Sequence, residues 1–123
     1  MSVQKRDLIR MRHMLDAAVK AISFVAGKNR VDLETDEKLA LALVRLVEII
    51  GEAASKVTPD VQTLHSGIAW RDIIGTRNRL IHGYDDVNLD ILWQIVSSDL
   101  PPLIQLLRHA VDDAAKQNDL FSA

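Results

Sequence analysis

The sequence predicts an all-α protein, an up-and-down bundle of four main helices with one or two short ones, and three observations carry that prediction. Apolar residues recur at three- and four-residue steps along several stretches, the period that lines up one face of an α-helix. The composition is 48% apolar but only 4% aromatic, which suits an aliphatic core packed between helices. Five glycines and three prolines in 123 residues supply few of the turns that a strand-rich architecture needs. A chain of this length is expected to be one domain, 1–123, burying about two thirds of its unfolded surface.

Taken in order, the first helix is read over Lys5 to Ala26, where Leu8, Met11, Leu15, Ala18, Ile22 and Val25 form the stripe, and Gly27 stops it. Lys5, Arg6, Arg10 and Arg12 make its N-terminal half basic, against the macrodipole, with Asp7 as the nearby offset. His13 is read as a surface or interface residue of this helix. A second long helix is read from Thr35 or Asp36 to Lys56. Its stripe of Leu39, Ala42, Leu43, Leu46, Ile49, Ile50 and Ala53 is broad enough to be covered on more than one side, as a central or a dimer-forming helix requires. Gly51 inside this helix costs about 1 kcal/mol relative to alanine, so it is expected to admit the close approach of another backbone. Arg45, Glu48 and Glu52 share one polar edge. They read either as an intrahelical ion network or, for Glu48 and Glu52, as groups that reach across to orient residues downstream.

Thr58-Pro59 reads as the cap and first residue of a short helix to about Leu64, and His65-Ser66-Gly67 as a break. A helix from Trp70 to Ile81 follows. Gly83 is expected to take a left-handed conformation after the helix end, which would put His82 on the last turn and Tyr84 just outside it. Beyond the connection from Tyr84 to Asn88, a helix capped near Asn88 carries Leu89, Leu92, Trp93 and Val96. Asp99 is read as the cap of a separate last helix whose stripe is Leu103, Leu106 or Leu107, and Val111.

Charge and composition exclude several function classes. Lys+Arg of 15 against Asp+Glu of 17 gives a net charge of −2, so any contact with nucleic acid is local rather than a polycationic coat. With no cysteine there is neither a disulfide nor a thiolate metal site. His13, His65, His82 and His109 are far apart, and no HExxH or tight Asp/Glu/His constellation accompanies them; Asp85-Asp86 reads as a solvated turn. Neither a metal nor another cofactor is expected. The N-terminus lacks an apolar signal-peptide core, and the longest apolar run, Leu39 to Ile50, is broken by Arg45 and Glu48. Neither secretion nor a membrane span is expected, and the cytoplasm is the expected compartment.

The reactive side chains concentrate in Trp70 to Tyr84. Arg71, Arg77 and Arg79 can hold anions, and Asn78, His82 and Tyr84 add an amide, an imidazole and a phenol. On an uninterrupted helix Arg77 and His82 would lie roughly 140° apart, whereas Asn78 and His82, four apart, would share a face.

The spacing Arg77, four residues, His82, one residue, Tyr84 resembles the signature of the HepT-like toxins, a branch of the HEPN superfamily. The likeness extends through Arg45-Leu-Val-Glu-Ile-Ile-Gly-Glu-Ala53, Trp70, Asn78, Trp93 and Asp99-Leu-Pro101, which fall in the family's order. Ala69 stands where many relatives carry proline, and Thr76 where methionine is frequent; neither change removes a functional group. The resemblance implies a homodimer whose subunits bring two copies of the Arg-x4-His segment to one cleft. It implies a metal-independent endoribonuclease, the toxin of a type II or type VII-like toxin-antitoxin pair, acting on an RNA substrate. Arg77 would hold the scissile phosphate and His82 would transfer a proton. Asn78, Arg79, Glu48 and Glu52 would support them, and Arg71, Arg77 and Arg79 would bind RNA. The alternative is a weakly active or inactive protein-binding module whose Tyr84 is adenylylated by a partner nucleotidyltransferase, the antitoxin. The apolar stripe of Leu39 to Ala53, thinned at Gly51, is expected to help build the two-fold interface.

Overall fold

The computed structural model describes residues 3–82 and 86–122. The protein is an all-α helical bundle in which the long helices α1 (Val3–Phe24), α3 (Glu37–Ser55) and α8 (Leu100–Ser122) pack together. Between them run the short helices α2 (Asp32–Thr35), α4 (Pro59–Leu64), α5 (Trp70–Ile74), α6 (Thr76–Leu80) and α7 (Leu89–Gln94), and the two-residue strands β1 (Ile81–His82) and β2 (Asp86–Val87). The side of α1 that carries Met11, Met14 and Ala18 is fully buried and meets α3 and α8. Leu43, Leu80, Leu92, Val96 and Leu107 complete the most deeply buried set. No helix among the described residues is long and apolar enough to cross a membrane.

The helix boundaries follow local chemistry. Gly27 has φ +73°, a conformation that costs glycine nothing, and it turns the chain just past α1. Asp36 caps α3 by accepting from the Leu39 N–H at 3.1 Å. The breadth of the α3 stripe is used within the chain, because α1 covers one side and α5 and α6 another. The backbone that Gly51 admits is likewise the chain's own: a Cβ at Gly51 would sit 3.1 Å from the Ile73 carbonyl oxygen of α5.

Three local expectations are corrected. Thr58 does stand at the start of α4, yet its hydroxyl makes no cap hydrogen bond to that helix. It donates instead to Asp7 Oδ2 at 2.8 Å, while the Thr58 N–H donates to Asp7 Oδ1 at 2.9 Å. Asp7, 2% exposed, is therefore a buried tie between α1 and α4. Asp99 does not cap a new helix. The chain passes from α7 into α8 through a π turn at Ile95–Asp99, closed by the Leu100 N–H on the Ile95 carbonyl. Pro101 and Pro102 have no N–H to donate, and the wider turn just before them absorbs that loss where an α-helix would break.

The third correction bears on the site. The helix expected over Trp70 to Ile81 is two short ones, α5 and α6, parted at Gly75, whose φ of −83° and ψ of 0° serve both ends. It stops at Leu80, since Ile81 is extended (φ −112°, ψ 121°). His82 therefore lies on a strand, not on a last helical turn, and no longer stacks four residues above Asn78. The reason is pairing: β1 and β2 form an antiparallel hairpin in register Ile81↔Val87 and His82↔Asp86. Gly83, Tyr84 and Asp85 lie outside the described residues.

Candidate functional site

The site is assembled on the α5–α6 corner where it leans on α3. Trp70 anchors the corner: its side chain is buried, and its indole N–H donates to the His65 carbonyl at 3.0 Å. Thr76, also buried, donates its hydroxyl to the Asp72 carbonyl at 2.8 Å and so stitches α6 back onto α5 across Gly75. Leu80 plugs α6 into the core with no exposure. With these three positions pinned, the polar residues of α6 are forced outward, and Arg77, Asn78 and Arg79 are all exposed.

Arg77 overhangs a cleft of about 300 Å³ lined by Val47, Glu48, Gly51, Glu52, Ser55 and Ile74. Its Nε lies 3.8 Å from Glu48 Oε2, with the arginine side chain 69% exposed and the glutamate 28%. The carboxylate braces the guanidinium from behind and leaves most of it open to an incoming anion. Glu52 lines the same cleft. Among the described residues, Glu48 pairs with Arg77 across to α6, and no ion pair joins Arg45 to Glu48 or Glu52. Glu48 thus approaches α6, while no ion pair takes Glu52 across to Arg77 or His82.

The three arginines do not border one cleft. Arg79 borders a second cleft, of about 430 Å³, whose walls include Asp72, Gln94, Ser98 and Asp99 over an apolar floor of Val47, Ile50 and Leu103. Arg71 is exposed on α5 and borders neither cleft. Arg77 alone of the three stands with Glu48 and Glu52.

His82 is exposed on β1, with Asp86 as its register partner on β2. Directly opposed residues of an antiparallel pair have Cβ atoms about 4.5–5.5 Å apart, so the backbone sets Asp86 opposite His82, with no ion pair between the two exposed side chains. Sequence reasoning took Asp86 for part of a solvated turn. The hairpin does carry a local signal, since β-branched Ile81 and Val87 flank a polar stretch containing glycine. At its base the Asn88 N–H donates to the Leu80 carbonyl at 2.8 Å, and Asn88 Oδ1 accepts from the Ile91 N–H at 3.1 Å to cap α7. One residue on from Leu89, Asp90 accepts from Arg30 Nε at 2.6 Å. That hydrogen bond is the main cause that raises the Arg30 pKa above its ordinary value.

Comparison with known proteins bears on the family of the chain. The family model described as "Ribonuclease HepT-like" matches residues 14–110, well over half of the chain and the whole of the corner and hairpin. "Putative RNase TTE0752" of Caldanaerobacter subterraneus subsp. tengcongensis is 36% identical over 93 residues, 76% of this chain and 83% of that protein. "Probable ribonuclease HepT" of Thermococcus cleftensis is 40% identical over 72 residues, 58% of this chain and 66% of its own length. "Putative RNase MJ1380" of Methanocaldococcus jannaschii is 29% identical over 102 residues, covering 82% and 94%. No solved structure matches the chain. The family match across this corner and hairpin, together with the coverage of these relatives, places the chain in a group first suggested by Arg77, His82 and Tyr84: it belongs to the ribonuclease HepT-like family.

Proposed function

We propose that this chain is a metal-independent endoribonuclease in which Arg77 and His82 do the chemistry. The observation that carries the reading is the exposed Arg77 guanidinium, braced by Glu48 at 3.8 Å on the rim of a cleft, a few residues ahead of an exposed imidazole on β1. Arg77 grips two oxygens of the scissile phosphate and offsets charge that builds on them as the ribose 2′-oxygen attacks phosphorus. The P–O5′ bond breaks, and the 2′-hydroxyl proton and the proton gained by the departing 5′-oxygen balance. His82 carries one of these protons, since imidazole is the side chain that exchanges them most readily near neutral pH. The products are a 2′,3′-cyclic phosphate end and a 5′-hydroxyl end. A homodimer that places two such corners on one groove would add the positive charge that the chain as a whole lacks.

Purified protein is expected to cleave RNA in the presence of EDTA and to leave cyclic phosphate ends. DNA cut at a comparable rate would defeat the mechanism, because it has no 2′-hydroxyl.

In the cell the protein acts, in this reading, as the toxin of a toxin-antitoxin pair whose antitoxin is a nucleotidyltransferase. Tyr84 follows His82 by two residues in the chain, so an adenylate on its hydroxyl adds bulk and negative charge close in sequence to the proton carrier and opposes the approach of substrate phosphate. Intact-mass measurement after incubation with the transferase and ATP is expected to show added adenylate, absent in Tyr84→Phe.

A further inference from the structure

We propose that Asn88 is a positioning residue that fixes the strand carrying His82; the proposal rests on the reading of His82 as the proton carrier. β1 and β2 are two residues each, joined by the register pairs Ile81↔Val87 and His82↔Asp86. A two-stranded hairpin is marginal in water by itself, and His82 and Asp86 are both exposed, so the outer pair buries nothing that would hold it. A histidine that must meet one atom of a substrate needs a firmer seat.

Asn88 supplies it with both ends of the residue. Its backbone N–H donates at 2.8 Å to the Leu80 carbonyl, an acceptor that the end of α6 would otherwise leave without a helical partner. This bond closes the hairpin at its base, one pair inside Ile81↔Val87. Its side-chain Oδ1 accepts at 3.1 Å from the Ile91 N–H and caps α7. α7 is itself rigidly set, with Leu92 fully buried and the helical path running on through the π turn into α8. On its outer side Arg30 holds Asp90 at 2.6 Å. The strand with His82 is thus tied through one residue to the longest helical run in the molecule.

The two bonds can be removed separately. Asn88 has φ −79° and ψ 103°, within the range that proline adopts, and Val87 before it is in a strand, the conformation that a residue preceding proline prefers. Asn88→Pro removes the N–H that reaches Leu80 together with the side-chain cap. Asn88→Ala removes only the cap, and Asn88→Asp keeps a cap acceptor.

The three variants are to be compared with wild type for RNA cleavage under saturating and limiting substrate and for backbone hydrogen exchange over residues 80–88, with circular dichroism to confirm helical content. Asn88→Pro is expected to lower kcat on the order of 10- to 100-fold below Asn88→Ala, the cost of a misplacement near 1 Å, with KM little changed. Exchange over the hairpin is expected to quicken most in Asn88→Pro and less in Asn88→Ala, and Asn88→Asp to retain wild-type kcat. Wild-type kcat and wild-type hairpin exchange in the proline variant would overturn the proposal, as would a drop confined to KM. A wild type that cleaves no RNA would instead defeat the ribonuclease reading, and the exchange comparison would still decide whether Asn88 holds the strand.

Discussion

Glu48 on α3 and Arg77 on α6 face each other at 3.8 Å across the mouth of a cleft, with the carboxylate the more sheltered of the two. An exposed pair of this kind contributes about 0–1 kcal/mol to stability, so the role proposed for it is orientation of the guanidinium. Glu48→Gln is expected to leave the melting temperature nearly unchanged and to lower RNA cleavage several-fold. A variant that melts much earlier but cleaves at the wild-type rate per folded molecule would show that the pair serves the fold instead.

Arg77→Ala and His82→Ala remove exposed side chains, and surface changes of this sort alter stability by about 0.5 kcal/mol or less. Loss of a proton-transfer group costs about 10²- to 10⁴-fold in rate. Both variants are therefore expected to keep helical content and lose RNA cleavage. Full activity in either one removes that residue from the chemistry.

Because Arg79 borders a different cleft from Arg77, and Arg71 borders neither, the three arginines are expected to be unequal. Arg79→Ala and Arg71→Ala should weaken RNA binding modestly and flatten its salt dependence by about one counterion each, whereas Arg77→Ala abolishes turnover. Identical losses in all three would indicate a shared phosphate groove.

Gly51→Ala sets a methyl group 3.1 Å from the Ile73 carbonyl. The α5 carbonyl must give way, and an overpacking cost of about 1–3 kcal/mol is set against the roughly 1 kcal/mol that alanine returns over glycine in a helix; the corner that carries Arg77 shifts with α5. A lower melting temperature and reduced cleavage are expected together. Light scattering on the same samples separates this effect from the proposed homodimer: activity lost at unchanged mass locates the fault at the α3–α5 contact, and a fall to monomer mass locates it between subunits.

Asp7 is buried, with both carboxylate oxygens engaged by Thr58. Removing a charged acceptor and leaving its donors unpaired costs roughly 2–3 kcal/mol. Asp7→Ala is expected to lose about that much unfolding free energy in urea titration and, where still folded, to cleave RNA at the wild-type rate.

Much of this was legible from residue order. The heptad-like spacing of Leu8, Met11 and Ala18, the start of α3 near Asp36 and the break at Gly27 each depend on chemistry within a few residues, and periodicity reports such chemistry directly. The same holds for the cluster of Arg77, Asn78 and His82, whose types and spacing alone single out the stretch. Elsewhere local signals competed. Gly83 after an apolar helix reads as a helix end, yet Ile81 and Val87 pair as strands and stop the helix sooner. Asp99 before two prolines reads as a cap, yet the chain finds a π turn and continues.

The sequence by itself determined the helical class, the order of the long helices and the residues able to act on a phosphate, because each depends on periodicity or on side-chain type. Only the tertiary structure decided which of those residues meet. That Arg77 stands with Glu48 while Arg79 faces another cleft, that Gly51 receives the Ile73 carbonyl, and that Asp7 is buried under Thr58 all depend on how α5 and α6 lie across α3 and how α4 closes on α1. Those placements are set by packing between residues distant in the chain, among them Trp70, Thr76 and Leu80 in the core, and no local pattern encodes the distance between two helices that meet only after the core has formed.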